Sequence, residues 1–370
     1  NVVYTAKVNA TEDLRPGCVS SAMIEVEVYG SQLTAPSYGE PLTYYTVDSE
    51  GNETYIGTFY AEPNIDSRMS YRFKAYDAAS KLDADFSARL DSIQGNFPMT
   101  LADIVSEAAT VAGVSFDSLT FPMASTEVSA FYADGITCRQ IIGWAAEIAC
   151  CFVKCGTDGA LSFAWYTERE GYRIYPNAGT QDGETLIAYK ESGLTYENYN
   201  VSVVDWVTVY PTDEEDELVT YPASPQGANI LTIRNNLLLT DADPTTLSAA
   251  AQNVYTVMSA LPEYAPFSAS LFPSENPFHA GDIVNVTDVQ GNSFQSIVMS
   301  MMVYPYRTLL SSTGKETYEE QTNSNTKKGL LNLASNILRL KSLFVESLEA
   351  IVARIDNLFA QEITVTGVLH

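Results

Sequence analysis

The chain has 370 residues, of which 46% are hydrophobic, with 23 Tyr and 15 Phe; such a chain folds, is rich in strand and holds about two to four domains. Its 46 acidic against 20 basic side chains leave a net charge of −26, which repels phosphate backbones and anionic lipid and excludes stable nucleic-acid binding. The longest apolar stretch, Ile141 to Val153, is too short for a bilayer and contains Glu147, so no membrane anchor is expected.

From Val2 to Tyr76 the pattern is mostly period two. The first residue is Asn1, not Met, and the start carries no leader pattern, which leaves room for an earlier segment and a first strand within it. Ile24-Glu25-Val26-Glu27-Val28-Tyr29 alternates cleanly, and Tyr44 to Val47 and Tyr55 to Phe59 flank a turn-forming run from Asp48 to Asn52. That arrangement predicts a hairpin, and with Ser70 to Tyr76 as a further strand the block reads as an antiparallel barrel or sandwich.

The period then changes. Thr100 with Asp103, and Thr137 with Gln140, have the spacing of capping boxes, so two helices are expected. The first carries Ile104, Val105, Ala108 and Val111 and stops at Gly113; the second puts Ile141, Ala145, Ile148 and Phe152 on one face. Asp158-Gly159 turns into the alternating strand Leu161 to Trp165, completing an α+β block. Four of the five cysteines (138, 150, 151 and 155, with Cys18 apart) fall in this block, at no zinc-ligand spacing. Reduced thiols in the core of a protein made in a bacterial-type cytosol explain them.

Strands return from about Thr185 to Asn236, interrupted by the acidic run Asp213 to Glu217. That run lacks the alternation and glycine of a calcium loop and reads as solvated. A helix is expected from Pro244 to Leu261, then strands at Phe267 to Leu271, Asp282 to Val286 and Phe294 to Tyr304. The polar stretch 311–328 reads as a linker.

After Gly329, apolar pairs recur every seven residues: Leu330-Leu331, Ile337-Leu338, Phe344-Val345, Ile351-Val352 and Leu358-Phe359. The intermediate positions pass from Leu333 and Leu340 to Leu348 and Ile355, a stutter that coiled coils absorb. A helix over 330–358 would run roughly 43 Å. The stripe is wide enough for three or more strands, or for a dimer docked on other surface; the alternative is one amphipathic helix packed on its own body. Five basic and four acidic groups after residue 326 leave +1 there, so the preceding body carries −27.

Four segments now carry a resemblance. Ala75-Tyr76-Asp77-Ala78-Ala79-Ser80-Lys81-Leu82-Asp83, Thr137 to Ala149 followed by Asp158-Gly159, Pro277 to Val286, and Ile363-Thr364-Val365-Thr366-Gly367 resemble, in order, segments of the baseplate hub proteins of tailed phages and prophages (the prophage tail or tail-associated lysin family). The resemblance implies an α+β, β-rich fold with two tube-type antiparallel β-barrel domains, at 1–83 and 185–310 (the second including helix 244–261). Between them stands an α+β domain at 84–184. A linker at 311–328, a trimeric coiled coil at 329–362 and the start of a downstream shaft at 363–370 would follow. It also implies a homotrimeric hub closing the distal end of a tail tube. Its partners would be the distal tail protein ring, the tape measure protein and a tail fibre or receptor-binding protein, with DNA passing without sticking. The hub would sit in the virion tail, assembled in the bacterial host cytoplasm. The seam would use Leu330, Leu333, Ile337, Leu340, Phe344, Leu348, Ile351, Ile355 and Leu358.

No catalytic chemistry emerges. The two histidines are 279, before a strand, and 370, terminal, and no zincin, nucleophile-elbow, phosphate-loop or dinucleotide pattern occurs. No cofactor or metal is implied, and no catalytic residue is assigned. A peptidoglycan-degrading enzyme and a receptor-binding adhesin using exposed aromatics are the rival readings. Scarce histidine argues against the first, and the span of the hub pattern against the second.

Overall fold

The computed structural model describes residues 2–11, 13–29, 36–47, 51–64, 70–202, 204–211, 218–224, 227, 229–272 and 276–315. The alternating N-terminal block forms five strands: β1 Val2–Lys7, β2 Met23–Tyr29, β3 Pro41–Val47, β4 Glu53–Asn64 and β5 Ser70–Tyr76. They lie antiparallel in the order β1-β2-β5-β4-β3, with the expected hairpin between β3 and β4.

Helix α1 (Ser87–Ile93), the ribbon of β6 (Met99–Thr100) and β7 (Glu127–Val128), and helices α2 (Leu101–Ala112) and α3 (Cys138–Ala149) follow. Both capping boxes form: Thr100 Oγ1 accepts from Asp103 N at 3.1 Å and Thr137 Oγ1 from Gln140 N at 3.2 Å, each with the reciprocal bond. Each is worth about 1 kcal/mol. Gly113 ends α2 in the left-handed region, as expected. At the end of α3 Cys150 takes that conformation (φ 53°), and Cys151 N donates back to Ala146 O at 2.8 Å. That reversal removes Phe152 from the helical face assigned to it by spacing, and it opens β8 (Phe152–Cys155) instead.

The rest comprises β9 Leu161–Ala164, β10 Thr167–Tyr175, β11 Gly179–Gln181, β12 Glu184–Tyr196, β13 Trp206–Val209, β14 Val219–Tyr221 and β15 Ile230–Ile233. Then come α4 Pro244–Ser259, β16 Phe267–Leu271, β17 Asp282–Thr287, β18 Ser293–Ile297, β19 Ser300–Tyr304 and β20 Arg307–Ser311. Asp243 caps α4 with its carboxylate on Thr245 N and Thr246 N, and Pro244 takes the first turn, where no donor is lost. A single 13-stranded sheet runs β18-β17-β10-β12-β16-β20-β19-β1-β2-β5-β4-β3, with β11 beside β12. β13, β14 and β15 make a small sheet under α4. The main core gathers buried residues of α2, α3 and α4 with those of the large sheet, around Leu82, Phe86, Leu101, Ile104, Ile141, Ile142 and Phe152.

The architecture is α+β and β-rich, but the expected antiparallel barrels need correction. Among the described residues no barrel closes: the sheet is an open path ending at β18 and β3. It is also mixed, because β10 runs parallel to both β12 and β17. Strand β1 lies between β2 and β19, so the N-terminal strands continue into the C-terminal ones.

Candidate functional site

The five-stranded end of the sheet curls on itself. Four strand spacings separate β1 from β3, roughly 19 Å on a flat sheet, yet the rings of Tyr4 and Tyr44 stack with centroids 6.2 Å apart. Phe59 meets both edge-on, and with Ile24 and Ala75 they make a second, small core. Beyond it the concave face stays open as a groove of about 1400 Å³. Its walls are β1, β3, β4 and β19, the turn Cys155-Gly156-Thr157 and the segment Phe278-His279-Ala280.

Three lysines line this groove, Lys7, Lys154 and Lys190, against one carboxylate, Asp77. Lys190 Nζ donates to Tyr306 O and so holds the rim. Asp77 is buried, accepting from Ala22 N at 2.8 Å and Ala79 N at 3.0 Å as the cap of a 3-10 turn, Ala78–Asp83. Burial raises its pKa to about 6, against the pull of those two amides and of Arg139. Burial, and then the Asp77 charge, push the Cys155 thiol up to about 12 and lift the Tyr4 phenol well above its usual range. A thiol so raised is a poor nucleophile.

Three of the four sequence segments that carry the resemblance converge behind the groove; the fourth, 363–367, lies outside the described residues. Asp77 belongs to the first. Arg139, from the second, donates to Val19 O at 2.6 Å, Ala79 O at 2.7 Å and Asp83 Oδ1 at 2.6 Å, tying α3 to the 3-10 turn and to the strand-like segment before β2. The third supplies Phe278 and His279 to the lining and Gly281 to the packing behind it. Gly281 has φ 100°, and a Cβ there would stand 2.8 Å from Phe152 Cζ. His279 itself is exposed, its Nδ1 4.0 Å from Asp282 Oδ2, as expected of a loop histidine.

The nine seam residues Leu330, Leu333, Ile337, Leu340, Phe344, Leu348, Ile351, Ile355 and Leu358 lie outside the described residues, as does the acidic run 213–217. All five cysteines are free, with 138, 150 and 151 buried. Burial pushes the thiols of Cys138 and Cys151 up to about 11 and that of Cys18 to about 12. Among the described residues no three His, Cys, Asp or Glu are grouped to hold a metal, and no helix is long and apolar enough to cross a membrane. Spacing along the chain did not reveal the groove, whose walls come from residues 2–8, 20–22, 44–47, 54–56, 77, 154–157, 190, 276–280 and 301–308. The one available signal was the pair of quoted segments containing Asp77 and Phe278-His279.

The chain superimposes on the 43 kDa tail protein of prophage MuSo2 from Shewanella oneidensis with a TM-score of 0.50, at 11% identity, over 85% of this chain and 92% of that one. The fold is that of a prophage tail protein. Two other tail-protein structures are similar: prophage tail protein gp18 of Listeria monocytogenes (TM-score 0.48, 11% identity, 90% of this chain and 100% of that one) and the tail protein of Neisseria meningitidis MC58 (TM-score 0.49, 12% identity, 86% and 94%). No protein-family model matches this chain, and no curated protein sequence does.

Proposed function

We propose that the chain is a structural, non-enzymatic component of the virion tail: a homotrimeric hub at the distal end of the tail tube. The single observation that carries this reading is the tail-protein fold, which extends over 85% of the chain. The heptad stripe of 330–358 adds a means of holding three copies in register. In this reading 1–83 and 185–310 build the ring around the axis, 84–184 braces it, and the coiled coil of 329–362 leads to what lies beyond. The neighbours would be the distal tail protein ring, the tape measure protein and a fibre or receptor-binding protein.

Three copies would carry −78, three times the charge of one. Any share facing a channel would repel passing DNA and keep it from adhering. The test is the mass of the purified chain by light scattering and its symmetry by electron microscopy. A three-fold ring supports the hub; a monomer at working concentration overturns it.

A further inference from the structure

The groove reverses the character of the chain around it. In a protein of net charge −26, its ionised lining is three lysines and one buried, amide-bonded carboxylate. Lys7 and Lys154 are exposed and stand in no ion pair among the described residues. Its rim is apolar and uncovered: Tyr45, Val47 and Tyr306 are 46%, 61% and 80% exposed. Exposed apolar side chains beside a charged groove suit an interaction site.

The groove also follows the backbone of one strand. Successive side chains of a strand point to opposite faces, yet Tyr44, Tyr45, Thr46 and Val47 all line it. A register shift between Tyr44 and Tyr45 breaks that alternation, and through it the groove follows β3, the strand that offers one outer edge of the sheet. That edge is free, because β3 ends the sheet and pairs only with β4 among the described residues. Free N–H and C=O groups on an edge strand accept a further strand, and alternate pockets then choose its side chains.

We propose that the groove receives an extended, acidic segment of a second copy of this chain, which adds to β3 and sets its carboxylates against Lys7 and Lys154. This rests on the self-association proposed above and names the surface that allows it. Copies of a chain carrying −26 repel one another, so their contact needs a local patch of the opposite sign. The groove is such a patch, and a second copy brings 46 acidic side chains against 20 basic ones.

The test compares the full-length wild type with Lys7→Glu/Lys154→Glu and with a control, Lys74→Glu/Lys315→Glu. The control makes the same change in charge away from the groove lining. Hydrogen exchange of the β3 amides (41–47) is followed by mass spectrometry, with particle mass measured in parallel by light scattering. We expect slow β3 exchange in the wild type and the control, and exchange roughly tenfold faster or more in the groove variant. Amides of α3 should stay equally protected in all three, which separates loss of docking from loss of fold. A trimeric wild type whose β3 exchanges as fast as in the groove variant removes this inference alone; a monomeric wild type removes the hub as well. Retention of short duplex DNA by the wild type but not by the groove variant would also overturn it, assigning the lysines to phosphate.

Discussion

Arg139 is the joint between α3, the 3-10 turn and the segment leading into β2, and its loss should be felt more than that of its ionic partner. Its side chain is 25% exposed, while that of Asp83 is 68% exposed. A pair that open to water contributes about 1 kcal/mol or less. The bonds to Val19 O and Ala79 O, at 2.6 and 2.7 Å, are made by a charged donor to part-buried carbonyls and are worth about 1.5–3 kcal/mol each. Arg139→Met should therefore cost about 3–5 kcal/mol, allowing for partial rehydration of the freed carbonyls. Asp83→Asn should cost about 1 kcal/mol or less, and Arg139→Lys should fall between, because an ammonium lacks the fork that reaches several acceptors. Urea unfolding followed by tryptophan fluorescence reads the difference, since Trp144 lies buried on the same helix. The slope should stay constant while the midpoint moves. If Asp83→Asn proves as costly as Arg139→Met, the ion pair and not the carbonyl clamp holds the joint, and the reasoning fails.

Asp77 predicts a pH dependence. Its folded pKa of about 6 lies above the ordinary 3.8, so between those values the folded state holds more proton and stability from this group falls as pH rises. The difference between wild type and Asp77→Asn should shrink by about 3 kcal/mol from pH 4 to 6 and stay level above that; a flat difference across the window refutes the shift. Gly281→Ala combines a left-handed backbone with a Cβ 2.8 Å from the ring of buried Phe152. It should destabilise by about 3 kcal/mol, read as a lowered thermal midpoint, and an unchanged midpoint would mean the ring moves freely. Ile337→Asp with Phe344→Asp should place uncompensated charge in the proposed seam and cost several kcal/mol, so that light scattering reports separated copies; wild-type mass in this variant rejects the seam.

Local signals in the chain proved informative where a few neighbouring residues decide the outcome. The Thr100 and Thr137 capping boxes, the Gly113 stop and the β3–β4 hairpin all depend on contacts within a few positions, and each was legible. The end of α3 was not, because the left-handed cap falls on Cys150 and no glycine announces it. Strand order was equally hidden. Alternation marks the stretches of β1 and β19 as strand but says nothing of their pairing, and β10, which runs parallel to both its neighbours, falls between the stretches read as strands. The groove is the product of that order, so its residues could be named only in the fragments that the resemblance had already singled out.

Strand β1 meets β19 with Tyr4 opposite Val303, which places the start of the chain beside its last described strands. During synthesis at about 5–20 residues per second, one side of β1 stays bare until nearly three hundred further residues have left the ribosome. Pairings so remote in sequence form slowly, and the waiting edge is open to strangers. A cell making this protein in quantity has reason to shield its N-terminal strands until the last ones arrive, and a truncated product would never bury that side of β1.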